Sequence, residues 1–412
     1  MDTKINSGWL FCARRCLNAK STFIVLLFIG LFCHILISPV PGVNPFSGGQ
    51  DSLLFSDFFN CLSAIDEGGP YMPGSATSIY PPLANLVFLP FSYTGDYAGM
   101  SLEEARSFLP GLSACAFYLL LLAVLFFYSL IQLGGKYSFS GWPLLLFLFV
   151  PELLFGVQRA NIVLLAGACI NFFLLYYDSE DDKERKKGLF FLCLAVALKL
   201  WPVLLGFLIL VNPHNKNNKW REILWCVVVT TLLLTLPFLF FQGGFRNLPV
   251  FVNGLLGWGK GDPSSWVLEF GVHNFGMMLG VGLGLSEEMS STLFMCSKWL
   301  TYAMAAVSIF LVFKDKVYWR RVMLMMLIVL MVPDKIYYYY GIYLIPVTVI
   351  YLGAKDKSIW GLLNAICLAV VFGPLSFLFS HMINIAAVLF WVLVMIQSGS
   401  EVWRNACKKE VS

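Results

Sequence analysis

Runs of apolar residues close to the ~20 needed to cross a bilayer recur along this chain, separated by short polar turns. They predict segments at 21–37, 107–132, 141–157, 158–177, 222–240, 289–313, 321–333, 337–353, 359–378 and 383–398. Two longer stretches, 40–106 and 241–288, read as loops. Within the first of them Leu83 to Phe91 is apolar but too short to span, and is read as a membrane-hugging or re-entrant helix. No small-residue cleavage site follows Ser21 to Ile37, which predicts a retained first helix rather than a removed signal peptide.

Basic residues orient these segments, because Lys and Arg concentrate in cytoplasmic loops. Arg14, Arg15 and Lys20 place the N-terminus inside, and 40–106 then becomes the first extracytoplasmic loop. The stretch 188–211 poses a problem: Lys183 to Lys187 before it and Lys216 to Arg221 after it are both basic and both belong inside. One ordinary helix cannot leave both ends on one side. Lys199-Leu200-Trp201-Pro202 interrupts the run, and proline breaks helical hydrogen bonding. Two short helices, 188–198 and 202–211, are therefore expected to enter and return with Lys199 at the turn. With that pair counted as two, the pattern predicts an all-α, polytopic membrane bundle of about 12 transmembrane segments, with juxtamembrane helices in the first external loop. It forms a single integral membrane domain, 1–412, with 241–288 as its second long external loop. Of the 28 Lys and Arg residues, only Arg106, Arg159, Lys199, Arg246, Lys260, Lys298 and Lys335 fall outside or near that side.

Composition agrees with this class. Hydrophobic residues make up 58% of the 412 and charged residues 13%, against about a quarter charged in soluble domains. No basic stripe lies outside the short loops, which argues against nucleic-acid binding. Most of the 11 cysteines sit in apolar runs, where a thiol packs as a small hydrophobe. Cys12 and Cys16 lack the further ligands that a zinc site needs.

The remaining polar residues can be weighed singly. In the first loop Ser56 or Asp57 suits the cap of a helix ending at Gly68-Gly69, with Phe58, Leu62 and Ile65 on one face against the membrane surface. The same Asp57, partly desolvated at the lipid boundary, is also suited to act as a general base, and Asp51 competes for that role. Tyr80-Pro81-Pro82-Leu83 follows, a stiff loop by local physics. Gln158, Arg159 and Asn161 occupy an external hairpin, where polar groups satisfy helix ends, but an arginine at membrane depth marks a functional candidate. Lys199 has no carboxylate near it in sequence, and it either snorkels to the interface or offers a cation to a lipid phosphate. The second loop carries His273 and Asn274, and a lone histidine is usually structural. Pro333-Asp334-Lys335-Ile336-Tyr337 opens a late segment in which Asp334 and Lys335 suit an ion pair and the tyrosines an interfacial belt. Asp57, Arg159, Lys199, His273 and Lys335 all land on one side under a topology set by other residues, and that coincidence points to a working face.

Together these runs resemble the polyprenol-phosphate-sugar-dependent glycosyltransferases of the C-type superfamily, and glycosyltransferase family 87, the bacterial alpha-mannosyltransferase-like group, in particular. The resemblance rests on Ser56-Asp57-Phe58 with Gly69 and Tyr71, on Tyr80-Pro81-Pro82-Leu83, on Gln158 and Asn161, on Lys199 with Pro202, and on Pro333 to Tyr338. It implies an inner-membrane enzyme of cell-envelope glycan assembly, with Asp57 as catalytic base at the extracytoplasmic face. The donor would be a hexosyl, best known as mannosyl, polyprenyl phosphate arriving from within the membrane, and the acceptor a lipid or glycan hydroxyl. Lys199 and Arg159, with His273 behind them, would meet the leaving phosphate, and Asp51, Tyr80, Gln158, Asn161, Asn274, Asp334, Lys335 and Tyr337 would line the substrate site. Asp334-Lys335 stands where that family more usually has a small or histidine-containing stretch. No cofactor or metal is expected, since the chain has neither a Gly-rich phosphate loop nor an Asp-x-Asp element. A lipid-linked-sugar flippase would share the spans and buried cations, but transporters usually place polar residues near the midplane between repeats, and no internal repeat is evident. An assembly partner without activity is the third reading.

Overall fold

Inside a bilayer the backbone has no water to bond, so apolar runs satisfy their own N–H and C=O groups as helices. A computed structural model describes residues 18–37, 54–71, 78–214, 219–258, 269–354, 356–373 and 382–410, and these are helical almost throughout. In chain order the first half forms α1 (Ala19–Ile37), α2 (Ser56–Asp66), α3 (Pro82–Ser92), α4 (Leu102–Ser107), α5 (Leu109–Lys136), α6 (Pro151–Gln158), α7 (Val163–Tyr176), α8 (Asp182–Leu198) and α9 (Phe207–Val211). The second half forms α10 (Lys219–Thr235), α11 (Leu248–Trp258), α12 (Val272–Gly282), α13 (Glu287–Lys314), α14 (Tyr318–Met331), α15 (Leu344–Gly353), α16 (Ile359–Val371) and α17 (Met382–Glu410). Short 3-10 segments adjoin several of them, and one antiparallel pair joins β1 (Glu269–Phe270) to β2 (Ile336–Tyr337).

Among the described residues, four helices are long and apolar enough to cross a membrane: Leu109–Lys136, Lys219–Phe240, Glu287–Lys314 and Ile383–Cys407. The other apolar helices are shorter. Hydropathy divides the chain into twelve segments because it reads apolar length and not continuity. Pro143 and Pro151 split 141–157 into a 3-10 turn and α6, and Pro202 starts a 3-10 turn, Trp201–Gly206, after α8. The outer surface is apolar: Phe117, Leu120 and Val124 on α5 and Leu224, Val227 and Val228 on α10 are exposed. Patches of this extent belong against lipid. By contrast α14 is buried from Arg321 to Met331 and forms the centre of the bundle.

Polar contacts gather the loops at one end. There Lys136 pairs with Asp178 at 2.5 Å, Arg185 with Glu222 at 2.8 Å and Arg320 with Asp315 at 2.6 Å. At that end Asn212 Nδ2 also donates to the Tyr177 carbonyl at 2.6 Å. The chain therefore leaves this level along α8 and is back at it by residue 212. The two-limbed expectation for 188–211 agrees with this path, and Arg185 of the first flank pairs with Glu222, just past the second. The break is Lys199 itself, the extended C-cap of α8 (φ −149°, ψ 117°).

The first loop departs from expectation in two respects. α2 does not lie on the membrane surface: Phe58 and Leu62 are fully buried, with the Phe58 ring packed against Phe59, Phe88 and Tyr118. Its amphipathic face is covered by α3 and α5 rather than by lipid. Nor do Ser56 or Asp57 cap it. Phe55 occupies the N-cap in the left-handed region (φ 54°), and no side chain bonds the helix start. α3, over the expected Leu83–Phe91, is 11 residues long, about 16 Å, too short to cross.

Candidate active site

Two loops clasp each other backbone to backbone. Phe55 N–H donates to the Gln158 carbonyl at 2.6 Å and Asp57 N–H to the Arg159 carbonyl at 3.1 Å. Each loop holds a non-glycine residue at positive φ, Phe55 at 54° and Ala160 at 50°. Such a conformation costs about 1–2 kcal/mol and persists only where its surroundings impose it. With Ala160 so turned, the side chains on both sides of it reach Asp57. Arg159 Nε and Nη2 donate to the two carboxylate oxygens at 2.9 and 2.6 Å, and Asn161 Nδ2 donates to Oδ2 at 2.5 Å. Asn161 also donates to the Tyr80 hydroxyl at 2.9 Å. Asp57, at 7% exposure, and Asn161 are buried, while the Arg159 and Tyr80 side chains are partly buried.

Lys199 completes the group. Its Nζ lies 4.1 Å from the centroid of the Tyr80 ring, 5.4 Å from that of Tyr340 and 5.9 Å from that of Tyr339. Asp57, Cys61 and Arg159 lie within its electrostatic reach, but among the described residues it has no ion pair. Burial at 7% exposure contradicts the snorkelling alternative. Three charged groups thus share one low-dielectric region, and Arg159, expected as a partner of the leaving phosphate, is bound to Asp57. The Arg159 guanidinium also stands 5.6 Å over the Tyr337 ring.

A second polar group sits around Asp334. Lys298 on α13 pairs with it at 2.7 Å, and His273 Nε2 lies 3.3 Å from its carbonyl oxygen. The expected Asp334–Lys335 pairing is replaced by this contact with Lys298. Burial holds the His273 imidazole below its ordinary protonation range. Asn274 donates to the Phe270 carbonyl at 3.1 Å, a bond that holds the start of α12. β1–β2 pairing connects this group to Tyr337, which stacks on Tyr339 with centroids 5.6 Å apart.

Of the residues singled out in the sequence, Asp57, Tyr80, Arg159, Asn161, Lys199 and Tyr337 are brought together, and Gln158 joins through its backbone. His273, Asn274 and Asp334 form the neighbouring group. Lys335 is described and engaged, and Asp51 lies outside the described residues. Sequence reasoning passed over Tyr339 and Tyr340 as a belt, and also over Lys298. It missed Glu152, which is completely buried with neither carboxylate oxygen hydrogen-bonded. The signal was available, since Glu152 is a lone carboxylate inside an apolar run. It missed Tyr71 and Asn85 as supports: Tyr71 donates to the Tyr80 carbonyl at 2.6 Å, and Asn85 donates to the Tyr71 hydroxyl at 2.7 Å.

Helix lengths set the level of the site. α7, which follows Asn161, has 14 residues, and α8, which ends at Lys199, has 17, so both groups stand about 21–26 Å from the basic end. α5 and α13 have 28 residues each, about 42 Å, and continue past that level.

The sequence model of glycosyltransferase family 87 matches residues 79–333, more than half of the chain. The match takes in Tyr80, Gln158, Arg159, Asn161, Lys199, His273 and Asn274, and it begins after Asp57 and ends before Asp334. No curated protein matches the chain.

Proposed function

Because the chain belongs to glycosyltransferase family 87, we propose that it moves a hexosyl group, with mannosyl first in line, from a polyprenyl phosphate donor to an acceptor hydroxyl. The acceptor is a lipid or glycan. The face is extracytoplasmic in a cell inner membrane, with the basic end of the bundle in the cytoplasm. The observation that carries this reading is the meeting of the Asp57 carboxylate with two cations, the partly buried Arg159 and the buried Lys199, at one level of the bundle.

Asp57 takes the proton of the acceptor hydroxyl as its oxygen attacks the anomeric carbon. The phosphate leaves from the opposite side, so the anomeric centre inverts. Lys199 stands without a counter-ion among the described residues, and a fixed cation in a low-dielectric site stabilises a departing anion more than it would in water. Tyr337, Tyr339 and Tyr340 offer aromatic faces beside the cations for a sugar ring. A level about 21–26 Å from the cytoplasmic end, against a hydrocarbon core of about 30 Å, suits a donor whose prenyl chain remains in lipid.

The test is sugar transfer by the purified protein in liposomes, with synthetic polyprenyl-phosphate sugars and a mixed acceptor extract. Wild type transfers and folded Asp57→Asn does not. Donor movement across the bilayer without transfer would replace this reading with that of a flippase.

A further inference from the structure

An ion kept from water without a counter-charge is costly, so a buried site favours neutrality. Among the described residues the centre of this site holds one carboxylate, Asp57, and two cations, Arg159 and Lys199. Asp57 and Arg159 cancel, and Lys199 leaves one positive charge in excess. If the donor is a sugar phosphodiester, as proposed above, its single negative charge neutralises the site. In the transfer step the acceptor oxygen forms a bond to the anomeric carbon, and the bond from that carbon to the phosphate oxygen breaks, its electron pair staying on the phosphate. The acceptor's proton passes to Asp57. The total charge is unchanged, but one negative charge has moved from Asp57 to the phosphate, now a monoester dianion.

We propose that Arg159 follows that charge, pairing with Asp57 at rest and with the phosphate in the product state, so that protonation of Asp57 and retention of the product phosphate are one event. The geometry permits the exchange. Asp57 keeps its place without the guanidinium, because its own N–H is bonded to the Arg159 carbonyl and Asn161 still donates to Oδ2. Arg159 and Lys199 lie within electrostatic reach of each other, and a dianion between them satisfies both. The guanidinium side chain makes its hydrogen bonds to Asp57 and rests over Tyr337, a ring along which a planar cation can slide. The other titratable groups facing Asp57 are the Cys61 thiol and the phenols of Tyr80, Tyr118, Tyr339 and Tyr340, all neutral in this scheme.

The proposal rests on the phosphate-donor reading, and one calorimetric experiment separates the two. A short-chain prenyl phosphate and its methyl diester are titrated into the detergent-solubilised full chain at pH 7, where Lys199 carries its charge and a monoester with a second pKa of about 6 is mostly a dianion. Buffers of different ionisation enthalpy report proton uptake. Wild type takes up about one proton per monoester bound and none with the diester. Asp57→Asn frees Arg159 without a proton, so it binds the monoester about tenfold or more tighter than wild type, with no uptake and little change for the diester. Asp57→Asn/Arg159→Gln loses that gain. Monoester binding by wild type without proton uptake, or by Asp57→Asn no tighter than by wild type, overturns the exchange while the donor reading stands. Binding of neither ligand by wild type overturns the donor reading, and the exchange with it. The wild-type uptake needs no variant to fold.

Discussion

Arg159 forks across both oxygens of Asp57, at 2.6 and 2.9 Å, from 102 positions away along the chain. The same bond that engages the proposed base also pins the first loop to the α6–α7 hairpin, so structure and chemistry depend on it together.

Breaking the fork should therefore cost stability as well as activity. Arg159→Gln leaves a buried carboxylate without its counter-ion, a loss of about 3 kcal/mol. Arg159→Lys keeps the charge but not the bidentate geometry and should fall between. Thermal unfolding in detergent, run beside the transfer assay, measures both. An unchanged Tm for Arg159→Gln would mean that the ion pair contributes nothing net.

Lys199 should behave in the opposite sense. Its charge is buried and lacks an ion pair among the described residues, so Lys199→Met removes a desolvated ion and keeps most of the side-chain volume. The expected result is equal or greater stability, by up to about 1–2 kcal/mol, with transfer lowered about 100-fold or more. Loss of both together would instead make Lys199 a structural residue.

Ala160 carries strain that can be released. At φ 50° glycine has no Cβ penalty, so Ala160→Gly should raise stability by about 1 kcal/mol, whereas Ala160→Val should lower it by more. Denaturation of the three proteins in parallel tests the order.

Gly341 gives the buried Glu152 its room. A Cβ at Gly341 would lie 2.4 Å from Glu152 Cγ, so Gly341→Ala should destabilise by about 1–3 kcal/mol. Glu152→Ala removes the obstructing atom, and the double variant should recover most of the Gly341→Ala loss. Additive losses in that double-mutant cycle would show that the clash is relieved elsewhere.

Sidedness is testable by labelling. Cysteines replacing Lys186 and His214, on the two flanks of 188–211, should react from one face of a sealed vesicle, and a cysteine replacing Asp96 from the other. Reaction of Lys186→Cys and His214→Cys from opposite faces would rule out the two-limbed path.

Much of this was legible in the sequence, for identifiable reasons. Run length and the bias of Lys and Arg are one-dimensional quantities, and they determined the helical membrane class and predicted the return of 188–211. Lys199 and Arg159 stood out because ionisable residues in apolar runs are rare. What the sequence left open was who meets whom. Nothing in it marked Asp57 as the partner of Arg159, Asp334 was expected to pair with Lys335, and α2 to lie on the surface. The structure decided otherwise, binding Arg159 to Asp57 and Asp334 to Lys298 and burying Phe58. Pairing of charges is set by distances in space, and those depend on two strained turns at Phe55 and Ala160, which carry no proline, glycine or hydropathy signal. Only the packed bundle, by holding both turns where neither would stay alone, brings the base and its cations into one place.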